Sequence, residues 1–98
     1  MTRITVKTEN GFRVLRMEGH AGAGQLGEDL VCAGISTLLL TLQDIVAEHR
    51  DCTCRIRPGS AVVQVPTAKR ELMAYTIRGL RMMEKNFPEY VNIKEEAG

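Results

Sequence analysis

Residues 4–17 read ITVKTENGFRVLRM, two alternating runs of apolar and polar residues around an Asn-Gly pair. Alternation with a period of two is typical of strands that bury one face, and Asn-Gly is a favoured two-residue turn between antiparallel strands. The stretch therefore predicts a β-hairpin with strands over 4–8 and 12–17 and a turn at Asn10-Gly11.

The rest of the chain alternates helical and strand patterns in a regular order. A long helix is predicted to end near His49, because apolar residues recur there at intervals of three and four. These residues are Ile35, Leu38, Leu39, Leu42, Ile45 and Val46. Strands over 52–57 and 61–65 flank Pro58-Gly59-Ser60, which favours a tight turn. A second amphipathic helix is predicted between Pro66 and Pro88, followed by a strand over 90–94.

The resulting order, ββαββαβ, predicts an α+β fold. We expect a two-layer sandwich with a largely antiparallel sheet and two amphipathic helices on one face.

Composition places narrow limits on the kind of protein. The 98 residues are 44% hydrophobic and carry 13 Lys and Arg against 12 Asp and Glu, a formal charge of +1. This predicts a single folded domain over residues 1–98. No apolar run approaches the length of a spanning helix or a signal-peptide core, so we expect a cytoplasmic protein without membrane contact. Because the charge is balanced, no direct nucleic-acid partner is expected.

The chain has three cysteines, an odd number that cannot all form disulfides within one molecule. Cys52 and Cys54 alternate with polar residues in a predicted strand and are expected to pack on one face as small apolar thiols. One C-x-C pair with two distant histidines lacks the ligand spacing of a zinc site. We therefore expect no metal.

The segment 19–36 has the least usual composition, GHAGAGQLGEDLVCAGIS. It places His20 just after a predicted strand and Cys32 in the first turns of the long helix. A helix N-terminus and a nearby imidazole both lower the pKa of a thiol, which makes it nucleophilic. The same pattern also fits a buried helix cysteine next to a glycine-rich connector, and spacing alone does not separate the two interpretations.

The glycines support another hypothesis, since Gly22, Gly24 and Gly27 match the G-x-G-x-x-G pattern of phosphate-binding loops. A strand precedes the match and a helix follows it. Against this hypothesis, the strand belongs to a hairpin and not to a βαβ unit. A non-catalytic nucleotide-binding or ribosome-associated module remains the alternative function.

Gly19-His20-Ala21 and the run from Gly27 to Ser36 resemble the signature of the Prp family of ribosomal-processing cysteine proteases. The resemblance implies a small, cytosolic, homodimeric bacterial enzyme without cofactors. Such an enzyme removes the N-terminal extension of a precursor large-subunit ribosomal protein and so supports ribosome assembly. It also implies that Cys32 is the nucleophile and His20 the general base and acid.

Three further features of the motif have two interpretations each. Asp29 either caps the free N–H groups of the helix start or orients His20. Gly22, Gly24 and Gly27 form either a lid over a bound peptide or a passive turn. Ser36, one turn after Cys32, contacts substrate or is structural.

Overall fold

The computed structural model describes residues 1–19 and 26–96, and of residues 26–29 the backbone alone. Its elements follow the predicted order, with a short 3₁₀ helix added before the second α-helix. They are β1 (Thr2–Glu9), β2 (Phe12–Glu18), α1 (Leu26–Val46), β3 (Thr53–Arg57), β4 (Ser60–Pro66), the 3₁₀ helix (Thr67–Met73), α2 (Ala74–Asn86) and β5 (Val91–Glu95). The predicted α+β fold is confirmed.

The first hairpin forms as its sequence predicts. Asn10 and Gly11 both adopt positive φ angles, 51° and 84°, the conformation that a type I′ turn requires at its two central positions. Glu9 therefore pairs directly with Phe12, and the register continues to Arg3 opposite Glu18.

The five strands form one sheet in the order β3-β4-β2-β1-β5. All neighbours are antiparallel except β1 and β5, which are parallel, with Thr2 opposite Val91. The sheet is thus largely antiparallel, as predicted, and the β1-β2 hairpin lies at its centre.

Both helices pack on one face of the sheet and close a single core with it. The strands contribute alternate residues, such as Ile4 and Val6 of β1 and Leu15 of β2, and all three are at most 1% exposed. The helices contribute Val31, Ile35, Leu39, Leu42 and Val46 from α1 and Ile77 and Leu80 from α2. Burial of each Leu, Ile or Val stabilises the fold by roughly 1.5–3 kcal/mol relative to exposure.

Helix boundaries differ from the prediction at two places. The first helix ends at Val46 and not near His49, because the chain tightens into a turn in which the His49 N–H bonds to the Val46 carbonyl. The second begins as a 3₁₀ helix with a kink at Lys69, where φ is −114° and ψ is 19°. The Lys69 side chain there bonds to Asp51, 2.9 Å away across the fold. A tertiary contact of this kind is not visible in apolar periodicity.

Candidate active site

Cys32 lies in the second turn of α1, on the border between its buried and exposed faces. The neighbouring Val31 is fully buried, Ala33 is exposed, and Cys32 itself is half-buried. Ser36, one turn further along, is exposed. The structure brings Cys32 and Ser36 to the wall of the same cavity.

This cavity has a volume of about 280 Å³ and lies between α1, the end of β2 and the turn that joins β3 to β4. Most of its wall is apolar, and Thr2, Ser36 and Arg57 are the polar residues that border it. The full lining is Thr2, Met17, Gly19, Cys32, Ile35, Ser36, Leu39, Leu40, Ile56, Arg57, Pro58 and Gly59. A half-buried thiol therefore borders a space that suits an apolar ligand group.

Gly19 fixes the end of β2 at the cavity. Its φ is +88°, and a Cβ on it would lie 2.4 Å from the Met1 carbonyl oxygen, so only glycine fits. Its N–H donates a 2.9 Å hydrogen bond to the Gly59 carbonyl. Gly19, which immediately precedes His20, thus packs closely against Met1 and is hydrogen-bonded to the β3-β4 turn.

Several residues predicted for the site lie outside the described part of the chain. His20, Gly22 and Gly24 belong to residues 20–25, which the structure does not describe. Gly27 and Asp29 fall in the first turn of α1, where only the backbone is described. Their roles stay predictions.

Sequence reasoning missed the contribution of the β3-β4 turn. Ile56, Pro58 and Gly59 wall the cavity although they lie more than 20 positions from Cys32 in the chain. The Pro-Gly pair predicts a turn but carries no sign of what the turn lies beside. Only the strand order, with β4 next to β2, brings the turn to the end of β2.

The other two cysteines have a different environment. Cys52 and Cys54 are half-buried and pack against the core on the helix-facing side of the sheet, as their alternation predicts. Burial raises the pKa of the Cys54 thiol. Burial and the nearby Asp51 carboxylate raise the pKa of Cys52. Both effects disfavour the thiolate that nucleophilic chemistry needs.

The described residues, 1–19 and 26–96, lack two further features. Outside residues 26–29, where the backbone alone is described, they contain no group of three His, Cys, Asp or Glu side chains placed to hold a metal ion. Within the same ranges, no helix is both long and apolar enough to cross a membrane.

Known structures share this fold over nearly their whole length. SMU.848 from Streptococcus mutans has a TM-score of 0.77 and 25% sequence identity, and the alignment covers 100% of this chain and 96% of that one. The essential ribosomal processing protease Prp from Staphylococcus aureus, in complex with a covalently linked product peptide, has a TM-score of 0.76 and 20% identity, with 98% and 100% covered. The same protease with a substrate peptide has a TM-score of 0.75 and 18% identity, again with 98% and 100% covered. No curated protein sequence matches the chain.

A family model of cysteine proteases matches residues 1–92, which is nearly the entire chain. Together with the thiol at the cavity, the match defines the class of the protein as a cysteine protease. The family is described as cysteine protease Prp, and the chain belongs to it.

Proposed function

We propose that this protein is a cysteine endopeptidase that removes the N-terminal extension of a bacterial large-subunit ribosomal protein and so supports ribosome assembly. The observation that carries the proposal is the position of Cys32, a half-buried thiol on the wall of an apolar cavity that Gly19 also borders. His20 follows Gly19 directly in the chain. The Staphylococcus aureus relative is called a ribosomal processing protease and has been captured with a covalently linked product peptide.

In the proposed mechanism Cys32 is the nucleophile. His20 accepts the thiol proton, and the sulfur attacks the carbonyl carbon of the scissile peptide bond. The C–N bond breaks while a C–S bond remains, and His20 returns the proton to the departing amine. The product is an acyl-enzyme thioester on Cys32 and a free new N-terminus.

Water completes the cycle. His20 takes a proton from a water molecule, which attacks the thioester carbonyl, and the C–S bond breaks to release a carboxylic acid and the thiol. No metal or cofactor enters either half of the reaction.

The first turn of α1 supplies candidate supporting groups. Backbone N–H groups at a helix start have no partner within the helix, so those near Cys32 are candidates to stabilise the oxyanion. Asp29 lies in this first turn and is proposed either to cap such groups or to orient His20. Gly22, Gly24 and Gly27 are proposed as substrate-binding positions of a peptide lid.

The cavity favours substrates with an apolar side chain next to the scissile bond. Met17, Ile35, Leu39 and Ile56 form its walls, and burial of an apolar side chain against them releases water from both surfaces. Ser36 lines the same cavity as Cys32 and is proposed to bond to a backbone group of the bound peptide.

We also propose that the enzyme works as a cytoplasmic homodimer, as the family resemblance implies. Residues 30–43 contain no charged side chain, and the solvent-facing side of α1 exposes Leu30 by 59% and Leu40 by 53%. The Thr37 and Thr41 hydroxyls donate to carbonyls of their own helix, which leaves their methyl groups outward. An uncharged helix face of this kind fits a second copy, and the mass measured by light scattering tests this.

The function is tested by incubation of the purified protein with the precursor ribosomal protein of the same organism, followed by intact mass measurement. We expect one cut in the N-terminal region, with an apolar side chain beside it. Cys54→Ala is the matched control and should still cleave. An uncleaved precursor would contradict the proposed substrate, while cleavage by Cys32→Ala would contradict the proposed nucleophile.

A further inference from the structure

The sheet has a second face that neither helix covers. Ile4 and Val6 of β1 point toward the helices, so the alternation turns Arg3, Thr5 and Lys7 to the other side. Residues that pair across neighbouring strands lie on the same side of the sheet, so the register places alternate residues of every strand on this second face. We name this surface the open face.

Charge is distributed unequally between the open face and the rest of the molecule. The register assigns six basic and three acidic side chains to the open face and its edge. The basic ones are Arg3, Lys7, Arg16, Arg55, Arg57 and Lys94, and the acidic ones are Glu9, Glu18 and Glu96. The open face therefore carries a formal +3, and because the whole chain carries +1, the remainder carries −2.

One row of the register concentrates this charge across the whole sheet. From edge to edge the row contains Arg55, Val62, Arg16, Thr5 and Lys94. It has three basic side chains and no acidic one. Strands lie about 4.8 Å apart, so the five-strand row is about 19 Å wide and its basic residues recur at about 10 Å.

Most of these basic side chains are free for a ligand. Arg16 is held by Glu9 through two hydrogen bonds of 3.0 and 3.2 Å, and Lys7 lies 3.8 Å from Glu96. The other four, Arg3, Arg55, Arg57 and Lys94, are exposed and form no ion pair with any carboxylate whose side chain is described, in residues 1–19 and 30–96.

The open face also includes apolar residues. Val14 lies at its centre and is only 1% exposed, although it is not part of the core between the sheet and the helices. Phe12 lies at one end of the same face and is half-buried, which leaves part of an aromatic ring in solvent.

We propose that the open face binds single-stranded RNA. Unpaired Arg and Lys spread across a sheet surface fit a flexible phosphate backbone, and an aromatic residue on the same face fits an unstacked base. A second copy stacked on the same face would bring two +3 surfaces together, which disfavours it. The near-neutral net charge predicted no nucleic-acid partner, and the separation of charge across the sheet is the reason to revise that expectation. The proposal does not rest on the proposed protease substrate.

The test compares two variants of identical net charge. The first replaces Arg3, Arg55 and Lys94 of the open face with Gln, and the control replaces the exposed Arg50, Arg70 and Arg78 of the helix side with Gln. Binding of a fluorescein-labelled, single-stranded RNA of about twelve nucleotides is followed by anisotropy between about 50 and 200 mM salt. Circular dichroism establishes that both variants fold.

We expect the unmodified protein and the control to bind alike, and the open-face variant to bind at least about tenfold more weakly at low salt. The slope of log affinity against log salt should fall by about 2 in the open-face variant, since three phosphate contacts are lost at about 0.7 each. Equal weakening of both variants, or no binding by the unmodified protein, would overturn the proposal. Competition by poly-glutamate as strong as by unlabelled RNA would also overturn it and point to an acidic protein.

Discussion

Two of the cavities that cysteines border in the described part of the chain differ in charge and in polarity. Cys32 borders an apolar cavity of about 280 Å³, and Cys52 and Cys54 border one of about 210 Å³ together with His49. The second cavity thus places thiols beside an imidazole. Proximity of Cys and His therefore does not by itself identify a catalytic site.

The charges around the second cavity explain why it is unsuited to nucleophilic chemistry. The Cys52 thiol lies 3.8 Å from Asp51 Oδ1, and this carboxylate repels a thiolate. His49 Nδ1 lies 3.2 Å from Lys69 Nζ, so one of its ring nitrogens is already occupied. The following predictions test the contrast between the two cavities.

The largest effect is expected for the nucleophile. Cys32→Ala should abolish cleavage while the fold is retained, because it removes the sulfur but little volume. Cys52→Ala and Cys54→Ala should retain activity. Initial cleavage rates of the three variants measure this, and a loss of activity on Cys54→Ala with Cys32→Ala active would reverse the assignment of the two cavities.

The next effect concerns the two histidines. His20→Ala should slow the chemical step by about a hundredfold or more, the usual contribution of a positioned acid-base group. His49→Ala, its control, should leave the rate nearly unchanged. Single-turnover kinetics make the comparison, and equal rates for His20→Ala and the unmodified enzyme would require another base.

A smaller effect is expected for Gly19→Ala, and Gly11→Ala is its matched control. Gly19→Ala places a Cβ against the Met1 carbonyl at φ +88°, whereas Gly11→Ala adds a Cβ at φ +84° with nothing within 4 Å. Both variants carry backbone strain of about 1–3 kcal/mol, but only the first also forces the end of β2 to move. Urea denaturation should show a larger loss of stability for Gly19→Ala, together with reduced activity. Equal losses would mean that the contact with Met1 relaxes freely.

The smallest effect concerns the reactivity of the packed thiols. Because the pKa values of the Cys52 and Cys54 thiols are raised, a smaller fraction of each is thiolate at a given pH than in an unperturbed cysteine. Iodoacetamide should therefore modify them more slowly in the folded Cys32→Ser variant than in the same chain in urea, and the rate should climb as the pH rises. Rates that are equal in both states at pH 8 would contradict the raised pKa.

Local sequence patterns predicted most of the fold. The Asn10-Gly11 turn, the alternating strands and the apolar stripe of α1 depend on residues within a few positions of one another, and each forms as predicted. The kink at Lys69 did not follow from the pattern, because it accompanies a bond to Asp51, 18 residues earlier. The parallel pairing of β5 with β1 likewise depends on how α2 returns the chain, which periodicity does not encode.

The candidate site was predictable in part. The 19–36 motif predicts Cys32 as the nucleophile, and the structure places Cys32 and Ser36 on one cavity. The opposite wall, formed by Ile56 and Gly59, has no sequence motif, because a Pro-Gly pair predicts a turn but not the element against which the turn packs. The positive charge of the open face could not be predicted from composition, because the net charge is a sum over both sides of the sheet.

The most direct test of the central claim is to locate the covalent intermediate. The enzyme is mixed with the precursor ribosomal protein, quenched in acid during the first turnover, digested and mapped by mass spectrometry. We predict an acyl group on Cys32, which increases the mass of the intact enzyme by that of the N-terminal fragment of the precursor less one water. An acyl group on Cys52 or Cys54, or a burst of the C-terminal product in the first turnover without an acylated Cys32, would contradict the assignment of Cys32 as the nucleophile.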